Sequence, residues 1–407
     1  MYKYLQFDIQ ALDNLKLGKF ERDTNNEYTH SYIPGSVIKG AIVWGLVQRN
    51  GSVPKTFLNG DTIFYNAYPI INENTTVPMM QGYVGNKQEI RSKRDEVQIK
   101  HSFNNTAHEN VIPYNNYEFI AYSKSSTHVL GYNPKKIENL HINKKDAEND
   151  NSDSKMFRYE AVKKGECFRS YIRIDENYIG DINEILKEVI YFGGSRGSGY
   201  GKCKISNIKC ISNVQMHYSD MDIRDNIYIY FLSDAILYYN GRVNTYIPPE
   251  VLKVKLGIKG ICEYLKSYAN LTKASTFNTM YNTNTVCYSA VSKGSVIKYR
   301  IEEKIEPEKI RELIAKGVGI RKEDGYGQIA ILNSIQDNLI VSGYTREENV
   351  LGENIGLKDE DKDIMNVILN NIFNKRVKLL VERLVIDMLN GNNVFALITC
   401  GCFYQIA

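Results

Sequence analysis

The sequence predicts an α+β chain made of two related domains, and three observations carry that expectation. A five-residue pattern occurs twice, as Ala161-Val162-Lys163-Lys164-Gly165 and as Ala290-Val291-Ser292-Lys293-Gly294. Each copy precedes an alternating segment, CFRSYIRID (167–175) and SVIKYRIEE (295–303), and such period-two alternation marks a half-buried strand. Each strand leads to a helical pattern, DINEILKEVIYF (181–192) and PEKIRELIAK (307–316), and then to a glycine-rich segment ending in Gly-Tyr-Gly. Those segments are GGSRGSGYGKCKI (193–205) and GVGIRKEDGYGQIAI (317–331), which makes Tyr200 and Tyr326 equivalent. Asp181 as an N-cap and Pro307 in the first turn start the two helices. The same order of strand, helix, glycine loop and strand, met twice, is the mark of a duplicated unit.

The remaining elements fit around this repeat. KYLQFDIQAL (3–12) alternates as a strand, with Tyr4, Phe7, Ile9 and Ala11 among its apolar positions. After a polar loop comes YIPGSVIKGAIVWGLVQ (32–48), where Pro34-Gly35 is a turn and Ser36 an N-cap. Val37, Ile38, Ala41, Ile42 and Leu46 form one apolar helix face. The second unit opens similarly at NIYIYFLSDAILYY (226–239), with Ser233 and Asp234 at the strand's end. Two strand-helix-strand halves in each domain give the ferredoxin-like βαββαβ arrangement in tandem. The expected division is 1–220, with a long, irregular, loop-rich insertion at about 50–160, then 221–344. A helical extension, 345–407, is expected to pack on the second domain. HINKKDAENDNSDSK (141–155) reads as a mobile loop tip, and VFALITCGCFYQIA (394–407) as an apolar closing segment.

Composition narrows the function classes. At 407 residues, 43% apolar and 24% charged, the chain has globular proportions and is too long for one ordinary domain. No uncharged apolar run reaches the roughly 18–20 residues that span a bilayer, and the N-terminus lacks a secretory pattern. A soluble, cytoplasmic protein without a membrane partner is expected. The 51 Lys and Arg against 47 acids leave a net charge of +4, so any nucleic-acid role depends on local basic patches. Seven cysteines without a Cys-x-x-Cys pair argue against a disulfide framework. No HExxH, GxSxG or paired ligand spacing occurs, so neither a metal nor a cofactor is expected.

The glycine loops are the main candidates for binding. Successive glycines let backbone N–H groups converge on an anion without Cβ clashes. The first loop comprises Gly193, Gly194, Ser195, Arg196, Gly197, Ser198, Gly199, Tyr200, Gly201 and Lys202, with Lys204 just beyond. Its cations reach phosphates, and Tyr200 offers a ring for a base. The same glycines would also suit a plain helix-to-strand turn. A helix enters each loop and a strand leaves it, the reverse of a P-loop or a dinucleotide fingerprint. In the second loop Gly317, Gly319, Arg321, Lys322, Gly325 and Tyr326 repeat the pattern, but Glu323 and Asp324 offset its charge. The helix start with Ser36 and Lys39 is a further phosphate seat, or an ordinary capped helix. His30 is the best-placed histidine for acid–base work, although a solvated loop histidine reads the same way. Lys87, Arg91, Lys93, Arg94 and Lys100 form a basic cluster within 82–103, interleaved with acids and amides.

YIPGSVIKGAI (32–42) and GGSRGSGYGKCKI (193–205) resemble the N-terminal signature and glycine-rich loop of CRISPR-associated RAMP proteins. The second loop, with SDAIL (233–237) and AVSKGSVIKYRI (290–301), resembles the second half of two-domain RAMP subunits of type III effector complexes, most of all the type III-D subunit. The resemblance implies two ferredoxin-like domains and a non-catalytic subunit that grips the 5′ repeat-derived handle of the guide RNA. Its implied neighbours are the large polymerase-like subunit and the backbone RAMP subunits. The first loop, Ser36 and Lys39 become guide-RNA contacts, whereas Glu323 and Asp324 fit a protein contact better. Alternatives are a metal-independent endoribonuclease using His30 on repeat RNA, a backbone subunit cutting target RNA with an exposed Asp, and a protein that binds only other proteins. The two-domain repeat argues against the backbone subunit, and lack of salt-sensitive RNA affinity would mark the protein-only binder.

Overall fold

The computed structural model describes residues 2–20, 26–92, 96–103, 110–122, 127–143, 155–187, 189–212, 223, 225–278, 282–346, 367, 369–371, 373–379 and 381. The chain divides into two units, 1–347 and 348–407. In the second unit the described residues, which lie between 367 and 381, are helical. The rest of the tail lies outside the described residues, including Cys400, Cys402 and the expected packing on the second domain. So do Lys93, Arg94 and residues 144–154 of the polar loop.

The first unit is a mixed α/β fold with few helices: α1 (Gly35–Asn50), α2 (Lys87–Arg91), α3 (Ile179–Leu186), α4 (Pro249–Leu256) and α5 (Pro307–Lys316). In the first sheet, Tyr2–Ala11 lies between Cys167–Asp175 and Lys202–Ile211, antiparallel to both. Tyr68–Ile71 continues beyond Cys167–Asp175. Leu5, Phe7, Ile9 and Ala11 point into a core shared with Ile38, Ile42 and Leu46 of α1 and Ile182 and Leu186 of α3. Each such buried side chain contributes about 1.5–3 kcal/mol. Tyr4, one of the apolar positions read in the sequence, lies on the opposite face against Tyr65, because strand alternation places Leu5 inward.

The second sheet runs Cys262–Tyr268, Val296–Ile301, Asn226–Phe231, Ile329–Leu332, all antiparallel. It repeats the strand order of the first. Ile227, Ile229 and Phe231 share a core with Leu252 and Leu256 of α4 and Ile310 and Leu313 of α5. Tyr228, Tyr230 and Leu232 face the other way, into a separate core. The run IYIYFL is thus apolar throughout because both faces of its strand are buried.

What covers that second face corrects the expectation of an irregular insertion. Val77–Pro78, Tyr83–Asn86, Glu96–His101, Val111–Pro113, Phe119–Tyr122 and His128–Tyr132 form a third sheet together with Asn338–Gly343. That last strand pairs in parallel with His128–Tyr132 and antiparallel with Glu96–His101, joining the insertion to the end of the second repeat. Met80, Tyr83, Val97, Ile99 and Val129 pack against Tyr228, Tyr230 and Val296. Of the basic cluster, Arg91 and Lys100 are exposed on this sheet and its connecting helix, and Lys87 is half-buried.

Helix boundaries also shift. Pro34, not Ser36, precedes α1, and the Gly35 N–H donates to Asn66 Oδ1 at 2.8 Å. The helix expected over 181–192 runs from Ile179 to Leu186, with Asp181 in its first turn, and Ile190–Tyr191 is a strand. Pro307 does occupy the first turn of α5.

The duplication extends to individual hydrogen bonds. Leu15 and Val162 exchange backbone bonds as Ala235 and Val291 do. The Lys164 N–H donates to Asn14 Oδ1, and the Lys293 N–H donates to Asp234 Oδ1. Tyr-Ile-Pro also occurs twice, at 32–34 and 246–248, each time just ahead of a helix. That tripeptide was available as a repeat signal in the sequence.

Candidate nucleic-acid interface

The two glycine loops share one backbone. Ser195 and Arg321 both have positive φ, 60° and 58°, and each opens a single 3₁₀ turn, Arg196–Ser198 and Lys322–Asp324. Gly199 and Gly325 then close these turns at φ 80° and 92°. The Gly201 N–H donates to the Asn14 carbonyl and the Gly327 N–H to the Asp234 carbonyl. A Cβ on Gly201 would lie 2.7 Å from the Phe192 carbonyl oxygen, so only glycine lets the chain pass there.

Their surroundings differ. The second loop is closed by the first repeat: a Cβ on Gly35 at the start of α1 would lie 2.9 Å from Gly325 Cα. Lys39 Nζ meets Asp324 Oδ1 at 3.0 Å, with both side chains largely buried. Asp324 also holds the Arg321 guanidinium at 2.8 Å, and Arg321 donates to Thr276 Oγ1 at 2.5 Å and Thr285 Oγ1 at 3.0 Å. Burial, with Lys255, Lys316 and Arg173 nearby, lowers the Lys322 pKa below the ordinary lysine value. Tyr326 is mostly buried, and burial pushes its phenol up to about 12. The helix start expected to hold a phosphate therefore holds the second loop, with Lys39 neutralised by a carboxylate. Gly317 and Gly319 serve turn geometry at positive φ.

The first loop is open. Gly194 and Arg196 through Gly199 are exposed, Lys202 is half-buried and Lys204 exposed. Arg196 donates to the Tyr191 carbonyl at 3.2 Å and lies 5.9 Å from that ring's centroid. Among the described residues, no carboxylate pairs with Arg196, Lys202 or Lys204. The position of Asp324 is taken here by Ser198. Tyr200 does not offer a free face: it is 4% exposed, and its hydroxyl accepts from Asn139 Nδ2 at 2.7 Å and lies 3.1 Å from His141 Nε2. Lys16, which the sequence did not single out, stands beside the loop. Its Nζ reaches Glu27 at 2.6 Å, Ser195 Oγ at 3.3 Å and the Tyr159 ring at 3.1 Å.

His30 sits apart, 5.0 Å from the Tyr32 ring. Burial, then the charges of Lys293 and Lys19, lower its pKa to about 3, so the ring is neutral at physiological pH. Lys293 lies 4.9 Å from the Tyr32 ring but is paired with Glu118 at 2.9 Å. Among the described residues no cluster of His, Cys, Asp and Glu is placed to hold a metal ion. No described helix is long and apolar enough to cross a membrane.

A duplicated α/β unit with a glycine loop at the end of each repeat defines the class of protein. Residues 14–204 match the model of the RAMP superfamily. No curated protein sequence matches it. Among solved structures it is similar to a chain of the Type III-B Cmr-beta assembly bound to cognate target RNA and AMPPnP, at TM-score 0.42 and 13% identity, covering 83% of this chain and 99% of that one. A chain of the same assembly bound to cognate target RNA gives TM-score 0.43 and 14% identity, covering 80% and 96%. An RAMP protein binding different RNA substrates gives TM-score 0.36 and 9% identity, covering 81% and 99%.

Proposed function

We propose that this chain is a non-catalytic RNA-binding subunit of a type III CRISPR interference complex. It holds the 5′ repeat-derived handle of the guide RNA and bridges the large subunit to the backbone RAMP subunits. We read its two repeats, 1–220 and 221–344, as tandem ferredoxin-like RAMP domains, in keeping with their common strand order. The match of residues 14–204 to the RAMP superfamily model supports the RNA-binding class. The observation that carries the reading is the contrast between the loops. One backbone is used twice, but the second copy is filled by α1 and neutralised by Asp324, whereas the first is open and carries Arg196, Lys202 and Lys204 without acids. Backbone donors and unpaired cations on a glycine loop suit phosphates, with single-stranded RNA read by shape and stacking. RNA contacts are accordingly assigned to residues 193–202. Ser36, Lys39 and the second loop are assigned to joining the repeats.

The test is Arg196→Glu with Lys202→Glu, assayed for guide RNA retained on purification and for affinity against salt. The variant is expected to lose the RNA and to show a shallower salt dependence, by about 0.7 in log–log slope per phosphate contact removed. Unchanged binding would reject the assignment. A metal-independent endoribonuclease is the second reading, with His30, 5.0 Å from the Tyr32 ring, as its candidate base. Cleavage of repeat RNA in chelator, abolished by His30→Ala, would establish it instead.

A further inference from the structure

The residues flanking the first loop extend its chemistry. Lys136–Asn143 and Lys155–Val162 form an antiparallel hairpin in which Asn139 faces Tyr159 and His141 faces Phe157. Cross-strand partners two residues apart share one face. That face adjoins the glycine loop, because Asn139 and His141 reach the Tyr200 hydroxyl and Lys16 bridges the Tyr159 ring to Ser195. Its rings are grouped: His141 and Phe157 lie 11° from parallel at 5.7 Å, Tyr159 lies 4.5 Å from His141, and Phe157 lies 5.0 Å from Tyr159. All three are partly exposed.

The second repeat has the corresponding hairpin, Leu271–Ala274 with Tyr288–Val291, and it is built differently. With Val162 matched to Val291, Tyr288 corresponds to Tyr159, Val286 to Phe157, Ala274 to Asn139 and Thr276 to His141. The two extra rings are absent there, and Thr276 and Thr285 hold Arg321. Three rings therefore stand beside the open, cationic loop, whereas the matching positions beside the filled one keep Tyr288 alone.

We propose that His141, Phe157 and Tyr159 form a base-stacking platform continuous with the first loop. A nucleotide of single-stranded RNA places its base on this face while the loop's cations and backbone hold its phosphate. The assignment rests on the RNA-binding reading above and moves the stacking role from the buried Tyr200 to the hairpin. Stacking on aromatic rings accepts any base, so the platform contributes affinity without sequence preference.

The experiment measures fluorescence anisotropy of the full chain with a short labelled oligouridine and with an abasic strand of the same length. His141→Leu with Phe157→Leu keeps apolar bulk in the hairpin but removes both rings. It is expected to weaken oligouridine binding by about 5- to 150-fold, the worth of one stacked base. Affinity for the abasic strand should stay unchanged, and Phe157→Trp should bind oligouridine at least as tightly as the wild type. Arg196→Glu should weaken both probes. Wild-type binding that depends on Arg196 but ignores the ring substitutions would overturn the platform alone. An equal loss on both probes would overturn it too, by reducing the rings to packing. A wild-type chain that binds neither probe would overturn the RNA reading and the platform together.

Discussion

His101 occupies a fully buried position on the third sheet, with Nε2 3.0 Å from the Gln81 carbonyl oxygen and Nδ1 accepting the Phe103 N–H at 3.2 Å. Both ring nitrogens are satisfied only in the neutral form, since a proton on Nδ1 would face an N–H donor. Burial is the main cause that lowers its pKa from 6.5 to about 4. The folded value lies below the unfolded one, so the unfolded chain takes up the proton first. Stability is full above pH 6.5 and is lost as pH falls towards 4, by about 3 kcal/mol in all. His30 acts in the same direction. Urea unfolding of wild type and His101→Gln across this interval checks the point, and the variant should show the flatter profile. Equal profiles would mean that His101 does not carry the dependence. No sequence pattern marked this residue, because the polar loop expected around it is a strand.

At the scale of elements, the contact between α1 and the second loop decides how the repeats are joined. Lys39 and Asp324 lie 285 residues apart in sequence and meet with side chains 17% and 14% exposed. One carboxylate there compensates two cations, Lys39 and Arg321. Removing it leaves both in a poorly solvated site, whereas removing Lys39 leaves Asp324 still paired with Arg321. Asp324→Asn is therefore expected to destabilise by about 2–4 kcal/mol and Lys39→Met by less than about 1 kcal/mol. Denaturant midpoints of the two variants compare them directly, and equal effects would contradict this division of roles. The sequence did flag Glu323 and Asp324 as unsuited to phosphate. It carried no sign that the answering lysine was the one expected to bind RNA.

For the molecule as a whole, the third sheet makes residues 77–132 depend on the second repeat. Its strand Asn338–Gly343 pairs on both sides with insertion strands, and its inner face is completed by Tyr228, Tyr230 and Val296. A fragment ending at 224 keeps the first sheet with α1 and α3 but lacks all of these. In hydrogen exchange, the amides of 96–101 should be protected in the intact chain and exchange rapidly in that fragment, while those of 2–11 stay protected in both. Protection of 96–101 in the fragment would show that the insertion folds without the second repeat.

The repeat, the strand at each glycine loop's exit and the Gly-Tyr-Gly turns were legible in the sequence because they rest on local rules. Strand alternation follows the pleat, and positive φ at Gly199 and Gly325 leaves its trace as glycine. The third sheet was not legible, since its strands are two to six residues long and one of their partners lies beyond residue 337. Only the tertiary structure decided which loop stays open. Two segments with one backbone acquire different roles when a helix from the other repeat, and one acid in place of a serine, close the second and leave the first to solvent.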